Sequence, residues 1–343
     1  MSKDYLPYLD GWRGLAIVCL LIGHFFPVPG INFGAVGVNL FFVLSGFLMT
    51  RILFVQKTPL RVFYLRRIAR IFPSVYIFLA VVALTFLLAG RDISRMELIS
   101  AATFTNNYFT PEGKWTMPVG HIWSLSVEEH AYVVLSIVAV MVRHNAQRSL
   151  RAVALVVGAI AGIALLYWSL GETAGFDKRW AHTEVAAFGI FASGLAYLYG
   201  LRHALPAARL AAPALLLSGL AAHWWSVPDA VRLILGCGAF ALALNALPRA
   251  PRLLRSVLEL TALRQLGIWS FSLYLWQQPF YQLVRHEGMH PLGGLAMSLV
   301  VGVAAYYTIE KPARSYLNQR WSKPAPSPIH MIDSEEAEPL HRP

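Results

Sequence analysis

Stretches of roughly 17 to 22 apolar residues recur along the chain, each near the length an α-helix needs to cross a bilayer core of about 30 Å at about 1.5 Å per residue. The membrane is then the solvent, and backbone hydrogen bonds must close within the helices. Composition agrees: 57% of the 343 residues are hydrophobic and only 14% are charged, against about 25% charge in a soluble domain. The reading is an all-α, polytopic integral membrane protein of about ten transmembrane helices. The spans are placed near residues 13–29, 35–55, 68–90, 121–142, 151–170, 182–200, 208–225, 229–247, 266–287 and 290–309. The first span follows Lys3, carries Arg13 and His24 and lacks a small-residue cleavage site, so it reads as a retained helix and not as a signal peptide. The longest loop, 91–120, is too short to be a soluble catalytic domain.

A net charge of +11 would raise the question of nucleic-acid binding in a soluble protein. In a membrane protein the same excess has a topological cause, because Lys and Arg are retained on the cytoplasmic side. With the N-terminus inside, alternate connections place 22 of the 29 basic residues in inside segments, including the run from Arg51 to Arg70. The expectation is a multi-pass protein of the cytoplasmic (inner) membrane with both termini cytoplasmic, the bilayer as a partner and nucleic acid excluded. Cys19 and Cys237 fall within apolar spans and give neither a disulfide framework nor metal spacing, so no metal is expected. Residues 1–320 read as the membrane-embedded domain, and 321–343, rich in Pro and Glu, as a disordered cytoplasmic tail.

Ionisable groups within spans cost several kcal/mol unless they face a cavity or a partner, which makes each a functional candidate. Arg13 and His24 are eleven residues apart, about three helical turns, so they share a face some way apart, at about 16 Å. Arg67 and Arg70 are three apart, and Arg66 and Arg70 four, so a helix gathers two guanidiniums into one anion-binding face. Such forked, permanent cations suit the phosphates of a coenzyme. Glu128 and Glu129 open an apolar helix on which Trp123, Ser126 and His130 form a stripe, and a carboxylate there is able to orient a neighbouring imidazole. The residues alone leave plainer readings open. Arg13 suits a snorkelling boundary position, His24 a hydrogen-bonded packing role, the arginines a positive-inside cluster, and the glutamates an interfacial helix N-terminus.

Taken together, the segments resemble membrane-bound acyltransferase family 3, over Leu9 to about Arg314. The resemblance rests on Leu9-Asp10-Gly11-Trp12-Arg13 with His24, which matches an Arg, ten residues, His signature, and on Gly34 to Leu48 as the second-helix motif. It continues in Arg67 and Arg70 as the paired arginines, in Trp123 to Tyr132, in Ser272-Leu273-Tyr274-Leu275-Trp276 and in Ile309-Glu310-Lys311-Pro312. The chain departs from the pattern where Asn39 replaces a common acidic residue, where His130 and Ala131 replace Gln-Phe, and where Gln277 stands in place of His.

The resemblance implies a membrane O-acyltransferase that uses acetyl-CoA or a similar thioester on the cytoplasmic side. The acceptor would be a hydroxyl of an extracytoplasmic glycan or lipid-linked sugar. Carried over residue by residue, Arg13, Arg67 and Arg70 hold the coenzyme. His24 is the general base or acyl carrier, and Glu128 or Glu129 orients it or helps bind the sugar. Trp123, Ser126 and Tyr132 line the acceptor path. The rival class is a transporter or flippase of a polar substrate, since buried Arg, His and Glu in a bundle also suit translocation. A non-catalytic membrane scaffold is the third.

Overall fold

In the computed structural model, residues 5–109, 115–171, 180–203 and 210–322 are described. The expected tail lies outside them from residue 323 onward, as do Lys3, Lys114, Lys178, Arg179 and Arg209 of the charge map. The first half of the bundle comprises α1 (Pro7–Phe25), α2 (Phe33–Thr50), α3 (Leu60–Leu88), the short α4 (Arg95–Ala102), α5 (Trp123–Val142) and α6 (Ala146–Ser169). Then come α7 (Thr183–Ala186), α8 (Phe188–Gly200), α9 (Ala211–Ala221), α10 (Asp229–Val231), α11 (Gly238–Ala246) and α12 (Arg252–Leu258). The chain closes with α13 (Thr261–His286), α14 (Pro291–Ala305) and α15 (Lys311–Ser322). Helix α15 therefore continues two residues into the segment assigned to the tail. Wide π turns at Arg51–Val55, Arg232–Cys237 and Tyr306–Glu310 extend α2 and link α10 to α11 and α14 to α15.

Six helical stretches among the described residues are long and apolar enough to cross a membrane: Phe33–Val55, Leu60–Leu88, Gly120–Val142, Ala146–Ser169, Asp229–Arg249 and Pro291–Trp321. The protein is an all-α, multi-pass membrane protein. The other four expected spans are helical but fall short of that standard, for identifiable reasons. Helix α1 carries Asp10, Arg13 and His24, and α13 carries Arg264, Gln277, Gln278, Gln282 and Arg285, which dilute their apolar character. Helices α8 and α9 have 13 and 11 residues, less than the length of a crossing helix.

Helix α1 is the centre of the assembly, packed between α2 and α13, while α2 reaches α8 on its far side and α13 reaches α14. The close approach of α1 to α13 depends on glycine. A Cβ at Gly267 would overlap the carbonyl oxygen of Asp10, and one at Gly14 would overlap that of Leu263. Small residues let helices pack backbone to backbone where lipid supplies no hydrophobic driving force of its own.

The loop ahead of α5 is tied down by a buried carboxylate. Glu97 on α4 is 1% exposed and accepts from the Thr116 N–H (3.0 Å) and hydroxyl (2.9 Å) and from the Met117 N–H (2.8 Å). Asn106 donates to the Val119 carbonyl (3.2 Å) and accepts from the Ser126 hydroxyl (2.8 Å), so the entry to α5 is fixed at both ends. Replacing Glu97 by Ala would strand two backbone donors in a buried setting, at a cost of at least about 2 kcal/mol. The expected outcome is a clearly lowered unfolding midpoint for Glu97→Ala in detergent; an unchanged midpoint would show that Glu97 does not hold this loop.

Candidate active site

Five helices converge on one pocket of ≈750 Å³. Arg13 enters from α1, Arg67 and Arg70 from α3, Glu128 and Tyr132 from α5, Ser270 and Tyr274 from α13, and Ser45 from α2. Val38 and Met49, eleven residues apart on α2, both line it, so the pocket extends about 16 Å along the helices. Its guanidiniums gather at the Met49 end, and Ser124, Tyr274 and Val38 close the other. Arg67 and Arg70 share a face as their spacing implies, whereas Arg66 is exposed and outside the pocket.

The three arginines are not equivalent. Arg67 is clamped, with Glu129 Oε1 accepting from its Nη2 at 2.7 Å and from its Nε at 3.3 Å, and Glu128 Oε2 at 3.8 Å. Its guanidinium also stacks over the Tyr132 ring, 3.9 Å from the centroid, a cation–π contact that gains from the dry setting. Arg13 Nη1 pairs with Asp10 Oδ1 at 2.9 Å, and the second oxygen of Asp10 accepts from the Tyr5 hydroxyl at 2.6 Å. Arg70 has no hydrogen bond or ion pair among the described residues, although it lines the same pocket within electrostatic reach of Arg13, Arg67, Arg314 and Glu310. Glu310 is 2% exposed and held by the Ser272 hydroxyl at 2.6 Å, with Arg314 at 3.7 Å. The pocket thus holds one guanidinium that has a carboxylate, Glu310, within electrostatic reach but makes no direct hydrogen bond or ion pair among the described residues.

His24 lies about three turns along α1 from Arg13 and is not part of the pocket lining. Its Nδ1 is 2.9 Å from Gln277 Oε1, and its ring stacks on Tyr281 with centroids 4.4 Å apart and planes at 20°. Gln277 is fully buried, and its Nε2 donates to Gln278 Oε1 at 3.1 Å. With the amide nitrogen so engaged, the amide oxygen accepts from His24 Nδ1–H, which leaves Nε2 with its lone pair. Gly34 of α2 borders that edge of the ring, so no side chain covers it from there. Gln277 is one turn beyond Tyr274, whose hydroxyl contacts Ser124 Oγ at 2.6 Å and the His121 carbonyl at 2.5 Å. The end of the pocket and the imidazole are therefore neighbours along α13.

Several expected roles shift. Glu128 and Glu129 are not partners of His24: Glu129 pairs with Arg67, and Glu128 accepts from Ser45 Oγ at 2.6 Å, because α5 presents this edge to α2 and α3. The partner of His24 is Gln277, from α13. Asn39 serves His223, with Nδ2 to Nε2 at 2.8 Å. Ser126 lines neither this pocket nor the one beyond α2, being fully buried and bonded to Asn106 and to the Ile122 carbonyl at 3.2 Å. Tyr132 belongs to the arginine pocket, and Trp123 to a second cavity across α2. Ser45, Tyr274 and Glu310 are not singled out by spacing; each falls within a motif of the family resemblance, which assigns it no role.

The sequence matches a known protein family over most of its length. The acyltransferase domain of acyltransferase family 3 matches residues 6–309. The peptidoglycan O-acetyltransferase OatA of Listeria monocytogenes is 32% identical over 155 residues, covering 39% of this chain and 24% of that protein. The O-acetyltransferase OatA of Staphylococcus aureus is 33% identical over 160 residues, covering 42% of this chain and 26% of its own. The aligned part spans about a quarter of the length of these relatives. No solved structure matches. With the family pattern running through nearly all of its helices, the chain belongs to acyltransferase family 3.

Proposed function

We propose that this chain is a membrane O-acyltransferase that takes an acetyl or other short acyl group from a cytoplasmic acyl-CoA and passes it to a hydroxyl of an extracytoplasmic glycan. The observation that carries the reading is Arg70, a guanidinium without a direct partner among the described residues at the cation-rich end of a long, narrow pocket, whose other end lies one helical turn from Gln277, the partner of His24. A thioester with anionic phosphates and an extended arm suits that shape. The phosphates would meet Arg70, with Arg13 and Arg67 held ready by Asp10 and Glu129. The peptidoglycan O-acetyltransferase among the relatives supports a sugar hydroxyl as acceptor. The basic face of the charge map supports donor entry from the cytoplasm, in a protein of the inner membrane.

His24 then acts through Nε2. The acceptor oxygen attacks the thioester carbonyl carbon as Nε2 takes its proton, the carbon–sulfur bond breaks, and the proton passes to the departing thiolate. Gln277 keeps Nδ1 protonated and the ring oriented, a role a carboxylate or histidine would fill with different charge. Glu128 and Glu129 position Arg67 and do not touch the reacting atoms.

Three measurements on protein purified into lipid nanodiscs test this, each reading release of free coenzyme A from acetyl-CoA in the presence of glycan acceptors. His24→Ala should lower turnover by at least about 100-fold while membrane insertion is retained, and full turnover would remove His24 from catalysis. Arg70→Gln should raise the KM for acetyl-CoA by about 10-fold or more, the loss of one charge-assisted contact, with little loss of stability. Arg67→Gln should instead lower the unfolding midpoint, because it leaves the largely shielded Glu129 without its partner, at about 2 kcal/mol or more. Equal kinetic and stability effects at both arginines would contradict the assigned division. A chain that moves a sugar without consuming acyl-CoA would be a transporter.

A further inference from the structure

A second cavity, of ≈970 Å³, lies on the other side of α2 from the arginine pocket. The two share Val38 and Phe42 as lining residues, so they stand back to back with one helix face between them. On α2 this cavity occupies the Asn32 to Phe42 stretch, whereas the arginine pocket runs from Val38 to Met49. It therefore reaches toward the end of the bundle away from the arginines.

Three indoles line it, from three separate parts of the chain: Trp123 at the start of α5, Trp180 ahead of α7 and Trp225 between α9 and α10. Trp225 is placed deliberately. Its backbone N–H donates to the Gly30 carbonyl at 2.8 Å, the Asn32 backbone N–H donates to the His223 carbonyl at 3.2 Å, and Ile31 forms a β-bridge with Trp224. Gly30 takes a positive φ of 88° there, and a Cβ on it would overlap the Trp224 ring. Yet Trp225 itself remains 59% exposed.

Polar groups with spare capacity surround the indoles. Trp180 Nε1 and Arg232 Nε are buried donors without a partner among the described residues. Arg232 spends Nη1 on Asp229 Oδ1 at 2.8 Å and Nη2 on the Val227 carbonyl at 3.1 Å, and Asp229 keeps its second oxygen. His223 Nδ1 donates to the Gly219 carbonyl at 2.7 Å, so Nε2 accepts from Asn39 Nδ2 and the amide oxygen of Asn39 is left over. Asn39 and Asp229 each leave an acceptor oxygen at the cavity, with two unspent donors buried beside it, and on an aromatic lining this suits a ligand with C–H faces and hydroxyls.

We propose that this cavity is the acceptor subsite and takes a neutral pyranose segment of a glycan. Trp180 and Trp225 are its stacking faces, and Asn39, Asp229 and Arg232 are its hydroxyl readers. Ion pairing of Asp229 with Arg232 leaves no net charge to recruit an anionic sugar. Ala35 on this wall directly follows Gly34, which borders the His24 ring, so a sugar seated here has the imidazole just around the edge of α2. An interfacial aromatic belt also collects tryptophan, but belt residues face lipid and have no use for an ion pair, an amide oxygen and two unspent donors around one cavity.

The proposal rests on the acyltransferase reading for the purpose of the cavity, not for its occupancy, so binding is measured without any acyl donor. Tetrasaccharides of glucose, mannose and N-acetylglucosamine are titrated calorimetrically into the nanodisc protein. At least one should bind saturably. Trp225→Ala and Trp180→Ala should each weaken that binding by about 10-fold with an unfolding midpoint near that of the parent, and Trp225→Phe should restore most of it. Absence of saturable binding by all three sugars, or binding indifferent to both alanine variants, would overturn the assignment. Sugar binding of the expected pattern in a protein that never releases coenzyme A would leave this subsite standing and remove the acyltransferase reading instead.

Discussion

A guanidinium inside an apolar bundle has to be matched, because the medium around the helices offers neither water nor counter-ion. That requirement organises the core of this protein. Arg67 fixes the mutual placement of α3 and α5 through Glu129 and, with Tyr132 beneath it, makes one wall of the pocket rigid. Asp10 matches Arg13 within α1 itself, one turn away. Arg70 is the exception, with Glu310 in reach but no direct contact among the described residues, and on that ground the proposed donor site is centred on it and not on the cluster as a whole.

The same helices carry the second half of the chemistry. Helix α1 presents Arg13 to the pocket near one end and His24 to α13 near the other, and the glycines at its contact with α13 bring the two backbones together. Pro279 sits two residues past Gln277 within α13 and cannot donate to the Leu275 carbonyl, which loosens the ladder beside the imidazole. Glu310 and Arg232 both lie in π turns, where an extra residue per turn displaces side chains from the regular helical stripe.

Legibility divides along the same line. The membrane class could be read from run length alone, since the bilayer fixes it, and so could the shared face of Arg67 and Arg70, since helical geometry fixes that. The polar α1 and α13 were expected as spans on their apolar content, and it is their functional side chains that lower it. The partner of His24 was beyond reach because Gln277 lies 253 residues away and their meeting depends on how α1 and α13 rotate against each other. Glu128 and Glu129 could be recognised as costly, but spacing carries no information on which neighbouring helix they would face. Trp180 and Trp225 belong to connections between helices, where no periodicity exists to flag them.

Val38 and Phe42 make a partition whose two faces border different cavities, and this has an electrical consequence. An enzyme joining reactants from opposite compartments has to admit both without becoming a leak for protons or ions. Two apolar side chains are enough to break a continuous file of water between the two cavities. The same two residues shape both cavities, so a change of size at either would be felt on both sides of α2 at once.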